Sequence, residues 1–259
     1  MPQDACGEGK AVCFAYIPQT QPAAAVERLD KLMRLGDALE VARMRPFALA
    51  EIWRAERTAT LQLFLQAAVL DIVQLRWELI CPSCRTAVAS ATDLQELVAH
   101  DQCQLCEIKL AQGYEDAIEA VFAPNPALRS LNVGVYCMGS PARAPHVLAQ
   151  AILPSEGSAQ LKAPMATGSY HLFVRGGADA TIKVAFEAPP SLRLRTDQLS
   201  NSTVTQVAPG GTIELHNPQP RAMHAKLERF DFANTATPAR AVLNQPLYQK
   251  HFRAPLQAP

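Results

Sequence analysis

The chain has 259 residues, 49% of them hydrophobic, and its 24 basic and 24 acidic side chains cancel to a formal net charge of zero. That balance excludes a global basic field that would recruit nucleic acid or anionic membrane, and the length allows one large domain or a few small ones. Met1 to Thr20 contains no apolar run long enough for a signal peptide or membrane-spanning helix, so no membrane insertion is expected and the expected location is cytoplasmic.

Residues 1–21 mix Gly, Pro, Gln and Ala without a period and are expected to form a loose arm. From Ala23 the pattern turns helical: Val26, Leu29, Leu32 and Met33 recur at three- and four-residue spacing, and Gly36 is the stop. Pro46 suits the first turn of a second, short helix whose apolar face is Phe47, Leu49, Ala50 and Trp53. The third helix is the most regular, with Leu61, Phe64, Leu65, Ala68, Val69 and Ile72 on one side. Val73 to Ile80, carrying Trp77, then reads as a strand that runs into Cys81.

Helix, turn, helix and strand in that order suggest a winged-helix-like arrangement over residues 22–80. A groove-reading third helix needs several basic or amide side chains on its outer face, and between Glu56 and Leu70 the basic one is Arg57. Packing or partner docking, with Trp53 as a contact, is therefore preferred to DNA binding, which stays as the alternative of a transcription regulator.

Next comes the one place where spacing alone implies chemistry. Cys81-Pro82-Ser83-Cys84 is answered by Cys103-Gln104-Leu105-Cys106, within the window of a four-cysteine zinc ribbon, here given residues 81–123. Four thiolates fill a tetrahedral Zn²⁺ and leave no position for water or substrate, so the metal would be structural. Iron in a rubredoxin-like site is the less favoured occupant. His100, three residues before Cys103, is expected to be an exposed polar residue. Ala87 to Ser90 reads as a ribbon strand, and Val121-Phe122 as its closing pair.

Pro124-Asn125-Pro126 marks a change of character. Short apolar or alternating runs follow at Leu131 to Cys137, Val147 to Leu153, Ala159 to Ala163, Ser169 to Val174, Thr181 to Phe186, Leu192 to Leu194, Thr203 to Val207, Thr212 to His216 and Ala222 to Phe232. Separated by Gly- and Pro-rich turns, they predict an antiparallel β-sandwich over residues 124–237, with a tail over 238–259 and a helix at Ala239 to Leu243. A sandwich of this kind also admits a small-molecule-binding role. His171, His216 and His224 fall on strands without a nucleophile or ligand pattern, and no elbow or phosphate loop is present, so no enzyme is expected.

Several runs together resemble a family. They are Ala42-Arg43-Met44-Arg45-Pro46-Phe47-Ala48-Leu49-Ala50, Leu63-Phe64-Leu65, Leu75-Arg76-Trp77-Glu78-Leu79-Ile80-Cys81-Pro82-Ser83-Cys84, Glu119-Ala120-Val121-Phe122-Ala123-Pro124-Asn125-Pro126 and Gly139-Ser140-Pro141-Ala142-Arg143-Ala144-Pro145-His146-Val147. They resemble a bacterial domain of unknown function found upstream of class III adenylate/guanylate cyclase catalytic domains, over about residues 25 to 252. The resemblance implies a regulatory, sensory or adaptor module with a protein partner, such as a nucleotide cyclase or another signalling enzyme. No cyclase-like stretch follows Phe252 in this sequence, so no cyclase activity is carried over from the resemblance. Arg143 and His146, in the last of these runs, are the residues expected to touch a ligand or partner.

Overall fold

A computed structural model of the chain describes residues 22–81, 84–97, 102–103, 117–132, 144, 146–175 and 179–252. It is an α+β structure, and its described residues fall into two compact units, one of residues 22–103, 117–132 and 235–252 and the other of residues 144–234. The expected loose arm over residues 1–21 lies outside the described residues.

In the first unit, helix α1 (Ala23–Leu35) ends at Gly36, where a Cβ would stand 2.6 Å from the Leu32 carbonyl oxygen and 2.7 Å from the Val41 side chain. A turn that tight excludes any side chain there. Asp37 accepts the Leu39 N–H at 2.8 Å and starts α2 (Ala38–Val41). Helix α3 (Pro46–Trp53) opens on its proline and closes on Arg54 in the left-handed region, φ 53°. Glu56 then accepts the Thr58 and Ala59 N–H groups and starts α4 (Arg57–Val69). Burial on α4 covers Thr60, Leu61, Leu63, Phe64, Leu65, Ala67 and Ala68, so most of its circumference faces protein.

Strand β1 (Val73–Ile80) lies between β2 (Ala87–Ala91) and β3 (Ile118–Pro124), antiparallel to both. Helix α5 (Leu94–Leu97) follows β2, and α6 (Ala239–Leu243) and α7 (Pro246–His251) return to this unit from the end of the chain. Leu29, Phe64, Trp77, Leu97, Phe122 and Val242 belong to one buried cluster. The helices, the ribbon strands and α6 thus share a core, and the boundary expected at 80/81 has no break in packing to match it. Helix α7 is the element that the expected tail lacks: Pro246 occupies the first turn and starts the helix.

The second unit has two sheets around another core. Five strands run in the order β4 (Val147–Leu153), β11 (Met223–Arg229), β6 (Gly168–Val174), β7 (Ala180–Val184), β9 (Val204–Val207). Three more run β5 (Gly157–Lys162), β10 (Thr212–Asn217), β8 (Ser191–Arg195). Leu172, Ile182 and Leu227 from the first sheet meet Leu161, Ile213 and Leu215 from the second. The expectation of purely antiparallel sheets is corrected, because β7–β9 and β10–β8 are parallel. Parallel neighbours need a crossover. It arises here because the chain alternates sheets, leaving β7 for β8 through Pro189-Pro190 and returning to β9. The run expected at Leu131 to Cys137 lies mostly outside the described residues.

Candidate metal centre and buried ionic clusters

The end of β1 and the start of β2 form a turn built around sulfur. Cys81 donates its N–H to the Thr86 carbonyl at 3.0 Å, and Arg85, left-handed at φ 54°, donates its N–H to the Cys81 carbonyl at 2.8 Å. This folds the backbone so that the Cys84 N–H approaches the Cys81 Sγ at 3.5 Å. Such a donor favours the thiolate over the thiol.

Cys103 brings its Sγ to 3.7 Å from that of Cys84, and the sulfurs of Cys81, Cys84 and Cys103 all lie within 4.8 Å of one another and are buried. A separation of 3.7 Å is far beyond a disulfide bond of about 2.0 Å. It matches the edge of about 3.8 Å expected for a tetrahedron of sulfurs each about 2.3 Å from one metal ion. The three buried cysteines therefore fit a metal site. Cys106 and His100 lie outside the described residues.

A second buried polar group explains why Arg43 and Arg45 flank Met44. Met44 exchanges backbone hydrogen bonds with Phe122 of β3, each at 2.8 Å, which fixes both arginines beside the sheet. Glu78 of β1 and Glu119 of β3 stand directly opposite in register, a like-charge pair that would repel. Arg43 Nε reaches Glu78 at 2.5 Å, and Arg45 grips both Glu119 oxygens at 3.0 and 3.2 Å. Burial pulls the Arg45 pKa down and Glu119 pulls it back up, with a net fall. The quartet is a structural staple.

His146, expected at a contact surface, is fully buried in the second unit. That expectation is corrected to this extent: the imidazole faces Glu228, Nε2 to Oε2 3.9 Å, and is not displayed to solvent. Glu228 is the centre of a cluster that the strand pattern did not reveal. Lys226 Nζ lies 2.8 Å from its Oε1, and His171 Nδ1 lies 3.6 Å from its Oε2. His171 also reaches Asp179 through Nε2 at 3.2 Å, while Lys226 sits over the Phe173 ring at 4.9 Å. Burial disfavours the His171 imidazolium, but Asp179 and Glu228 outweigh it and lift its pKa to about 9. Burial likewise pushes the Glu228 carboxyl upward, and His171 and Lys226 more than reverse this, leaving it below the usual value. Register brings the cluster together: His171 pairs with Glu228 and Phe173 with Lys226 across β6 and β11.

Trp53 is half-buried, its ring 6.3 Å from Phe64 in a stacked arrangement. Arg143 lies outside the described residues. His216 pairs with Ser158 at 3.2 Å and His224 with Gln150 at 3.2 Å, as ordinary surface contacts.

Fold and site together define an α+β chain with a buried three-cysteine cluster suited to a metal ion. Residues 8–135 match the model of a family of unknown function, DUF5939. No curated protein and no solved structure matches the chain.

Proposed function

We propose that the chain is a non-catalytic, zinc-stabilised adaptor or sensory module that binds a protein partner or regulates a signalling enzyme, such as a nucleotide cyclase, in trans. In this reading the first unit is a winged-helix-like segment joined to a zinc ribbon, and the second is a β-sandwich. The observation that carries it is the sulfur cluster, whose spacing suits three corners of a tetrahedral ion. Cys81, Cys84 and Cys103 would hold Zn²⁺, with Cys106 supplied by the sequence spacing, and the ion would contribute folding energy. Exposed Leu35, Leu39 and Ile52 in the first unit favour a protein partner, whereas the enclosed α4 lacks the broad polar face that base reading requires.

The test is to purify the chain without added metal, count zinc by mass spectrometry, and titrate it into a purified class III nucleotide cyclase from the same genome. One zinc per chain and a change of at least twofold in cyclase rate are expected, both lost in Cys84→Ser. Absence of zinc removes the metal reading, and an unchanged cyclase rate removes that enzyme as the partner.

A further inference from the structure

The sheet of the first unit has an unfinished edge. Strand β3 spans β1 from Val73 to Leu79, whereas β2 covers it only from Trp77 to Ile80. Beyond Ala91, Asp93 accepts the Gln95 N–H at 2.9 Å and turns the chain into α5, which draws it off the line of the strand.

Hydrogen-bond phase shows which backbone groups aim toward this edge. On β3, Phe122 spends its N–H and C=O on Met44, and Ala120 donates to the Thr237 carbonyl at 2.8 Å, so both point away from β1. Their opposite numbers, Leu75 and Trp77, must aim their own N–H and C=O groups to the other side of β1. There Trp77 meets Ala91. Leu75, and Val73 in the same phase, meet no backbone partner among the described residues. Val73 is itself buried, at 1% exposure, whereas Leu75 is partly open, so the Leu75 N–H and carbonyl are the template for one more strand.

A cavity of about 290 Å³ lies along this edge, lined by Val73, Leu75, Thr92, Tyr248 and Phe252 among others. Tyr248 and Phe252 of the α7 segment stack with ring centres 5.6 Å apart, and Tyr248 meets Trp77 edge-on at 5.8 Å. The Leu75 side chain packs on the helical side of the sheet. A residue paired with Leu75 would project its side chain to that same side, toward the stacked rings. Asp71 is the charged residue among those lining the cavity.

We propose that the Val73–Arg76 edge of β1 is a docking groove for an extended segment of a partner protein, added as a strand beside Leu75. The segment carries a large apolar or aromatic side chain opposite Leu75 and a basic residue within reach of Asp71. Hydrogen bonding requires an extended backbone, and the ring-lined cavity selects the anchor. The inference rests on the partner-binding reading above and gives it a location.

The experiment pans a display library of random dodecapeptides against the full-length, metal-loaded chain and measures the selected peptides by fluorescence anisotropy. Selected sequences should share an apolar or aromatic anchor with a nearby Lys or Arg. Binding should weaken at least tenfold in Leu75→Pro, which deletes one edge donor, and in Thr92→Trp, which fills the groove mouth from an exposed position. Thr92→Trp decides the matter if Leu75→Pro misfolds by circular dichroism. Phe186→Ser, an exposed position of the second unit, should bind as the parent does. Peptides indifferent to both groove variants would overturn the groove while leaving the partner-binding reading intact. Failure to select any peptide would overturn the groove, and only an unchanged cyclase rate besides would count against that reading. A concentration-dependent dimer in sedimentation, abolished by Thr92→Trp, would make a second copy the occupant and overturn the proposal.

Discussion

Each unit buries opposed charges against a sheet, but the cations differ, and so does the way each cluster can fail. In the first unit Glu78 and Glu119 are matched by Arg43 and Arg45. A guanidinium cannot discharge in a protein, so an arginine that loses its partner stays charged and buried. In the second unit Glu228 is matched by Lys226 and His171, and the imidazole can shed its proton. The same burial of charge is rigid with respect to pH in one unit and titratable in the other. The first unit also holds the three-cysteine cluster, which is suited to a metal ion.

The largest expected effect follows from that cluster. Cys84→Ser, or a strong chelator, should remove a contribution on the order of 10 kcal/mol if zinc is bound. Because the described helices of eight or more residues all belong to the first unit, the loss should appear as ellipticity at 222 nm. An unchanged melting curve in the zinc-free protein would show that the sulfurs pack without metal.

Next is Glu119→Ala, which strands Arg45 and deprives Arg43 of its second carboxylate. A cost of about 3 to 5 kcal/mol is expected in urea denaturation, nearly constant from pH 6 to 10. Glu228→Ala should cost less, about 2 to 3 kcal/mol, because His171 can discharge when its partner is gone. Its penalty should shrink as pH rises. Equal and parallel pH profiles for the two variants would erase the contrast between the clusters.

Part of this contrast was legible in the sequence. The paired Cys-x-x-Cys spacing identified the sulfur cluster, and the alternating run Val73 to Ile80 gave a strand with the observed ends, because exposed Gln74 and Arg76 between apolar residues leave a period of two. Arg43 and Arg45 stood out as part of a recurring run, but their role depends on Met44 bridging to Phe122, a contact between residues far apart in the chain. The Glu228 cluster was hidden for a similar reason. Alternation put His171 beside Phe173 correctly, yet nothing along β6 indicates that β11 will place a glutamate opposite it. The parallel pairs escaped because run length and period do not encode which sheet a strand joins.

The smallest effect concerns His171 alone. Its pKa is raised in the fold to about 9 by Asp179 and Glu228 against the opposing effect of burial, while an unfolded histidine titrates near 6.5. A raised folded-state pKa means that the stabilisation is fully present below pH ~6.5 and is lost as pH climbs through about 9. Asp179 remains partly open to solvent, with 29% of its side chain exposed, so the shift is discounted to roughly 2 kcal/mol. Chemical denaturation between pH 6 and 10 should show this decline, and His171→Gln should flatten it while Arg43 and Arg45 leave the first unit unaffected. A decline that persists in His171→Gln would overturn the assignment of the alkaline loss to this imidazole. The imidazole ring should then titrate near its ordinary value by NMR.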